Sequence, residues 1–187
     1  MEIHTPNNID NTDGEIEPRI YVASLADYNH GRLHGAWIQA ATDPDQIHDD
    51  ITTMLSESRL PDAEEWAIHD HEGFTPWSPS EHELISTVAK IAMGIVEHGP
   101  AFAHFAAEVG TIDDVLDHFD NVYCGHWPSL RAYAQDLLAD LIDPDSLGPD
   151  WLRPYLSIDY DAYARDMSAD LHVSEARDGG VYLFQPE

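Results

Sequence analysis

Lysine is almost missing from this chain: Lys90 is the only one, and all lysines and arginines together number eight against thirty-six carboxylates. A surface so poor in cations cannot gather phosphate groups, which disfavours direct binding of nucleic acid and docking on anionic membranes. Cysteine is equally scarce. Cys124 stands alone, which excludes an intrachain disulfide and fits a reducing, cytoplasmic setting. No run approaches the roughly eighteen consecutive apolar residues of a membrane-crossing helix. The first residues, MEIHTPNNIDNTDGEIEP, carry neither a basic region nor an apolar stretch, so no secretory signal is read there. A phosphate-cradling glycine loop, an HExxH pair and spaced cysteines are all missing as well, and no cofactor is expected.

What is present is negative charge on a chain with enough apolar residues to fold. Hydrophobic residues make up 43% of it, with five Trp and eight Tyr, which separates it from disordered acidic tails. The net charge is -28, far beyond what solubility needs and costly through self-repulsion. Nor is the charge a tail. Residues 1–93 hold eighteen carboxylates and four cations, and residues 94–187 hold the same numbers, so each half carries -14. The natural partner of such a body is cationic: a metal, a polyamine or a protein with a basic face.

Along the chain the pattern reads as α+β. Residues 1–18 form a polar acidic arm. RIYVASL from Arg19 and Ala36–Ala40 read as strands around a turn at Tyr28–Gly31. Asp43 with Pro44 opens a helix carrying Ile47, Ile51, Met54 and Leu55, and Glu65–His69 reads as a third strand. Ser80-Glu81-His82-Glu83 has the form of a capping box. The helix after it carries Leu84, Ile85, Val88, Ile91, Ala92 and Ile95 and stops at Gly99-Pro100. A second helix spans Ala101–Val109. After VYCG, Pro128 starts a helix with Leu130, Ala134, Leu137 and Leu141 facing in. Asp159–Met167 reads as a short helix, and Leu171–Glu175 with Val181–Phe184 as a hairpin. The expected organisation is the arm (1–18), a sheet-plus-helix module (19–79), a central helical module (80–121) and a second sheet-plus-helices module (122–187).

The sharpest pattern follows Thr111. Ile112, Val115, Leu116 and Phe119 fall within about 100° of a helical wheel, and Asp113, Asp114, Asp117 and Asp120 occupy about 120° opposite. Asp136 and Asp140 stand one turn apart on the next helix. A solvated helix face normally intersperses Lys or Arg to relieve such repulsion. Here the entire chain has one lysine, Lys90. Carboxylates at i,i+3 or i,i+4 stand about 5–6 Å apart at Cβ, close to the spacing of successive phosphates. At one charge per about 1.7 Å of duplex axis, twenty-eight charges correspond to roughly 48 Å of DNA.

Two other groupings compete for a role. His69 and His71, at i and i+2 of a strand, share a face, as two ligands of a metal would, but no third ligand accompanies them in a convincing context. Cys124 and His126 lie two apart in an extended segment, a poor geometry for a nucleophile and its base, so the cysteine reads as buried and structural.

The segments IYVASLADYNHGRLHGAW, EEWAIHDHEGF and IDYDAYARDM resemble the ArdA family of antirestriction proteins in wording, order and spacing. The resemblance runs from about Arg19 to Phe184. It implies a non-enzymatic acidic DNA mimic, elongated, built of three small modules and dimeric through the last of them. Its implied partner is a type I restriction–modification enzyme, whose DNA-binding groove it occupies. Asp113, Asp114, Asp117, Asp120, Asp136 and Asp140 match the family's acidic antirestriction stretch and are expected to stand in for phosphates. The chain departs from the family in its arm, in His71 where an aromatic is commoner, and in the loop Asp143–Asp150. The residues themselves leave two alternatives open: a salt-adapted acidic protein of other function, and a metal-dependent hydrolase using His69 and His71.

Overall fold

The β-branched and aromatic run RIYVAS becomes the central strand of a three-stranded sheet in the computed structural model, which describes residues 17–61, 63–110, 116–143 and 147–186. This strand, β1 (Arg19–Ser24), pairs antiparallel with β2 (Gly35–Gln39) on one side and β3 (Trp66–Glu72) on the other. Alternation sends Ile20 and Val22 to one face, where they meet Ile38 and Ile68 as register partners, and all four are buried. Helix α2 (Pro44–Ser56) packs on β2 through Ile47, Ile51 and Met54. As the sequence suggested, Asp43 caps α2, accepting the Asp45 N–H at 2.8 Å. Tyr21, Trp37, Asp70 and Glu72 line the other face of the sheet, with the Arg19 guanidinium 4.7 Å over the Trp37 ring.

Between β1 and the turn the chain inserts a five-residue helix, α1 (Leu25–Asn29), that the periodicity did not reveal. Its first turn is closed by Ser24, whose hydroxyl accepts the Asp27 N–H at 3.3 Å and donates to the Asp27 carboxylate at 2.9 Å. The Asp27 carboxylate is buried. The Ser58 hydroxyl donates to it at 2.5 Å from the segment after α2, and Arg32 reaches it at 3.3 Å. The Ser58 hydrogen bond leads, against the opposing effect of burial, in holding this carboxyl below its ordinary value of 3.8, with Ser24 and Arg32 assisting. A lowered folded-state pKa gives stability that is present above 3.8 and lost as pH falls through the folded value. Asp27→Asn is therefore expected to lower the thermal midpoint at neutral pH and to flatten the decline below 3.8. Thermal melts of both proteins across that range check it. An unchanged acid limb would remove Asp27 as its source.

The helical stretch that follows contains α3 (Ile85–His98) and α4 (Pro100–Val109). Ile85, Val88, Ile91, Ala92 and Ile95 form the buried stripe of α3 and face Phe102, Phe105 and Ala106 of α4 across a tight crossing. The crossing depends on Gly94: a Cβ there would stand 2.4 Å from the Phe102 ring. The expected capping box is not a helix cap. Ser80 and Glu83 do bond to each other, hydroxyl to carboxylate at 2.9 Å, but they close a turn four residues earlier. The Ile68 N–H of β3 donates to the Glu81 carbonyl at 2.9 Å, which holds this segment against the sheet and delays the helix to Ile85. Leu84 consequently points to solvent, off the stripe it was expected to join.

The second unit opens with the short α5 (Phe119–Val122) and β4 (Tyr123–Trp127), followed by α6 (Leu130–Leu141). A 3-10 turn at Arg153–Tyr155 precedes α7 (Tyr160–Met167), β5 (His172–Glu175) and β6 (Val181–Phe184). The expected hairpin is there, and β6 lies centrally in the antiparallel order β4-β6-β5. Phe184, Leu183 and Tyr182 are buried on it with Phe119 and Val122. Helix α6 is capped by Ser129, which accepts the Ala132 N–H at 3.1 Å, one residue after the proline expected to start it. Of its expected inward positions only Ala134 is fully buried. Leu130 and Leu137 are half-buried and Leu141 is exposed, since α6 is covered by α7 and touches β4 over limited lengths.

The described residues thus form two three-stranded antiparallel sheets and seven α-helices, an α+β fold. They fall into two compact units, one ending at Asp117 and the other beginning at His118. No helix among the described residues is long and apolar enough to cross a membrane.

Candidate partner-binding surface

Every described aspartate and glutamate side chain is solvent-exposed except Asp27, which is buried, and Glu83, which is half-buried. Apolar stripes take the inner helix faces, and acidic residues are left the outer ones. On α2, Asp45 and Asp49 stand one turn apart opposite Ile47, Ile51 and Met54. On and around α7, Asp159, Asp161, Asp166 and Asp170 are all exposed. These residues were missed as site candidates although they carry the same signal as the stretch after Thr111, carboxylates at helical spacing opposite an apolar stripe.

Of the six aspartates expected to bind a partner, Asp117 lies in the first unit and Asp120 and Asp136 in the second, and all three are exposed. Asp120 is on α5 and Asp136 on α6. Asp113 and Asp114, with Thr111, Ile112 and Val115, lie outside the described residues, as does the side chain of Asp140. Asp117 has a companion that the sequence could not assign: the Lys90 ammonium, the chain's one lysine, stands 2.8 Å from it.

With Lys90, five of the eight cations are paired within the protein. Arg19 contacts Glu72 at 2.6 Å, Arg32 meets Asp27, Arg131 contacts Asp161 at 3.0 Å and Arg153 contacts Asp150 at 3.0 Å. Apart from the pair at buried Asp27, these are exposed pairs worth about 0–1 kcal/mol each, so the acidic excess does not exist to hold the fold. Even with all eight cations matched one to one, twenty-eight of the thirty-six carboxylates remain unneutralised.

The other two groupings take different shapes from those the spacing suggested. The β1–β3 register slips between Tyr21 and Val22, so that Ile20 faces His71, Val22 faces Ile68 and His69 is the extra residue of a bulge. The bulge breaks the alternation and parts the two histidines. His69 lies edge-on to Tyr28 with centroids 5.0 Å apart, whereas His71 bonds to Ser78 at 2.9 Å and packs against Phe74. Among the described residues no group of three or more His, Cys, Asp or Glu is placed to hold a metal ion. Cys124 is half-buried rather than buried. Burial pushes its thiol pKa up, partly offset by a hydrogen bond with Tyr133. His126 is turned away, its Nε2 bonded to the Gly179 carbonyl at 2.9 Å, so no nucleophile–base pair forms.

A family model described as antirestriction protein (ArdA) matches residues 20–182, which takes in both sheets and the helices between them. The chain belongs to the ArdA antirestriction family. No curated protein matches it significantly. Membership in ArdA gives the acidic surface its context, since antirestriction acts on restriction enzymes, proteins that must hold DNA. The ArdA match begins at Ile20 in β1 and ends at Tyr182 in β6, so it runs from the central strand of the first sheet into the central strand of the second.

Proposed function

We propose that this ArdA protein is a DNA mimic that occupies the DNA-binding groove of a type I restriction–modification enzyme and blocks restriction. The observation carrying this reading is the outward placement of nearly all described carboxylates, with five of the eight cations already paired to carboxylates of the protein itself. Carboxylates one helical turn apart lie about 5–6 Å from each other at Cβ, which suits a groove built to pair with phosphates. Asp113, Asp114, Asp117, Asp120, Asp136 and Asp140 act in this reading as phosphate stand-ins, joined by the exposed acids of α2 and α7. The protein performs no chemistry, takes no cofactor, binds no nucleic acid itself, works in the cytoplasm and pairs with a second copy through residues 122–187. Opposite charge steers the encounter, making association fast and salt-sensitive.

The direct test is competition. A type I enzyme is loaded with fluorescent DNA carrying its recognition site, and the protein is titrated in. Displacement at near-stoichiometric amounts is the expected result. DNA that stays bound at large excess, while restriction is still inhibited, would move the site of action away from the groove.

A further inference from the structure

The second unit contains an open cavity of about 370 Å³ that none of the carboxylate arguments uses. Its walls come from α6, the end of α7 and the chain after β6. Leu137, Leu171 and Met167 give it apolar surface, Tyr133 gives it an aromatic one, and the exposed carboxylate of Asp170 stands in its lining. The Tyr133 ring is held in place from behind. It packs against Trp127 with centroids 5.2 Å apart, and its hydroxyl is engaged with the Cys124 thiol. Burial leads in pushing the Tyr133 phenol up to about 12, with the neighbouring Cys124 next and the Asp136 carboxylate adding a smaller share. Asp136 therefore contributes negative potential at the same wall, one residue before Leu137.

A cavity of this volume lies within the ordinary range for small-ligand sites, and its lining mixes apolar side chains with the polar Gln185 and the Asp170 carboxylate. Its host carries a net charge of -28, so anionic ligands are repelled. A neutral apolar ligand would gain nothing from the Asp170 carboxylate, which is exposed and already hydrated. A group that uses both the apolar and the charged lining is an alkyl cation, its methylenes against Leu137, Leu171 and Met167 and its charge shared between Asp170 and the Tyr133 face. We propose that this cavity binds a single alkyl guanidinium or ammonium group, with Asp170 as its counter-ion. Such a group comes either from an arginine or lysine side chain of a protein or from a free polyamine. The site stands whether or not the protein mimics DNA.

The probe is n-butylguanidinium, titrated into the full chain with methyl resonances of Leu137, Leu171 and Met167 followed by NMR. Expected are saturable shifts at these methyls, weakened about tenfold in Asp170→Asn, as loss of a charge-assisted contact predicts. Asp170 is exposed, so the variant keeps the fold, and unchanged shifts at buried Leu183 report that directly. Leu171→Trp, which fills the cavity and leaves Asp170 in place, is expected to abolish the shifts. Equal binding in Asp170→Asn, equal binding of n-butanol, or unsaturable shifts spread over all acidic surfaces would each overturn the site. Displacement of the probe by a capped Gly-Arg-Gly peptide assigns a protein source, and displacement by spermidine a free polyamine. Displacement by neither overturns the assignment. DNA displacement from a restriction enzyme is read separately, so failure here leaves that result standing.

Discussion

Replacing Asp45, Asp49, Asp50, Asp136 and Asp166 together by asparagine is expected to weaken inhibition of a type I restriction enzyme by between about 50- and 100-fold. Each is exposed, and none holds the buried core together. An exposed charge contact contributes about 0.5 kcal/mol, so five contribute about 2.5 kcal/mol, and any one alone changes affinity only about twofold. The block leaves the fold intact and relieves repulsion, so its thermal midpoint stays level or rises. Inhibition assays on the block and on each single variant, run beside thermal melts, measure both quantities. Complete loss from one substitution would point to a discrete site instead, and full inhibition by the block would remove these residues from the partner surface. Raising salt should reproduce the loss in the unmodified protein, because screening acts on all exposed charges together. A salt-adapted protein of other function would behave in the opposite way, gaining stability with salt and inhibiting nothing.

The largest effect on stability belongs to Phe184. It is fully buried on the central strand of the second sheet, with Tyr123 and Phe119 ring centroids 5.6 and 6.2 Å away. Phe184→Ala removes the ring that packs against this stacked pair, a truncation that costs about 3–5 kcal/mol. Domains of ordinary size have only about 5–15 kcal/mol in total, so the second unit should lose most of its stability. Near-ultraviolet dichroism following Tyr and Trp packing on heating will detect it, with Val173→Ala on the exposed edge strand β5 as the control. Equal midpoints for the two variants would show that Phe184 is not a keystone of that core.

Elements with an uninterrupted pattern were legible before the fold was known. Asp43-Pro44 marks the start of α2 because a side-chain acceptor and a missing donor are both local properties of a first turn. Gly99-Pro100 marks the junction of α3 and α4 for similar reasons, with Gly99 at φ 71°. Residues whose role depends on a distant partner were not legible. Ser80 and Glu83 have the wording of a helix cap, yet the pairing of Ile68 with Glu81 draws them to the sheet. Ser24 caps a helix too short to show a period, and the carboxylate it supports is completed by Ser58 from beyond α2.

The candidate surface divides along the same line. Composition alone determined that the protein carries a charge of -28, that its halves share it equally, and that it cannot be neutralised from within. Helical spacing determined that acids such as Asp45 and Asp49 oppose an apolar stripe. Only the tertiary structure decided that Asp27 turns inward while nearly all other described acids face solvent. It also decided that the single lysine settles on Asp117, and that a bulge at His69 parts the two histidines. Net charge is a sum and survives any rearrangement of the chain. Which charge meets which counter-charge, and which face a strand residue occupies, depends on register and packing between segments far apart in sequence.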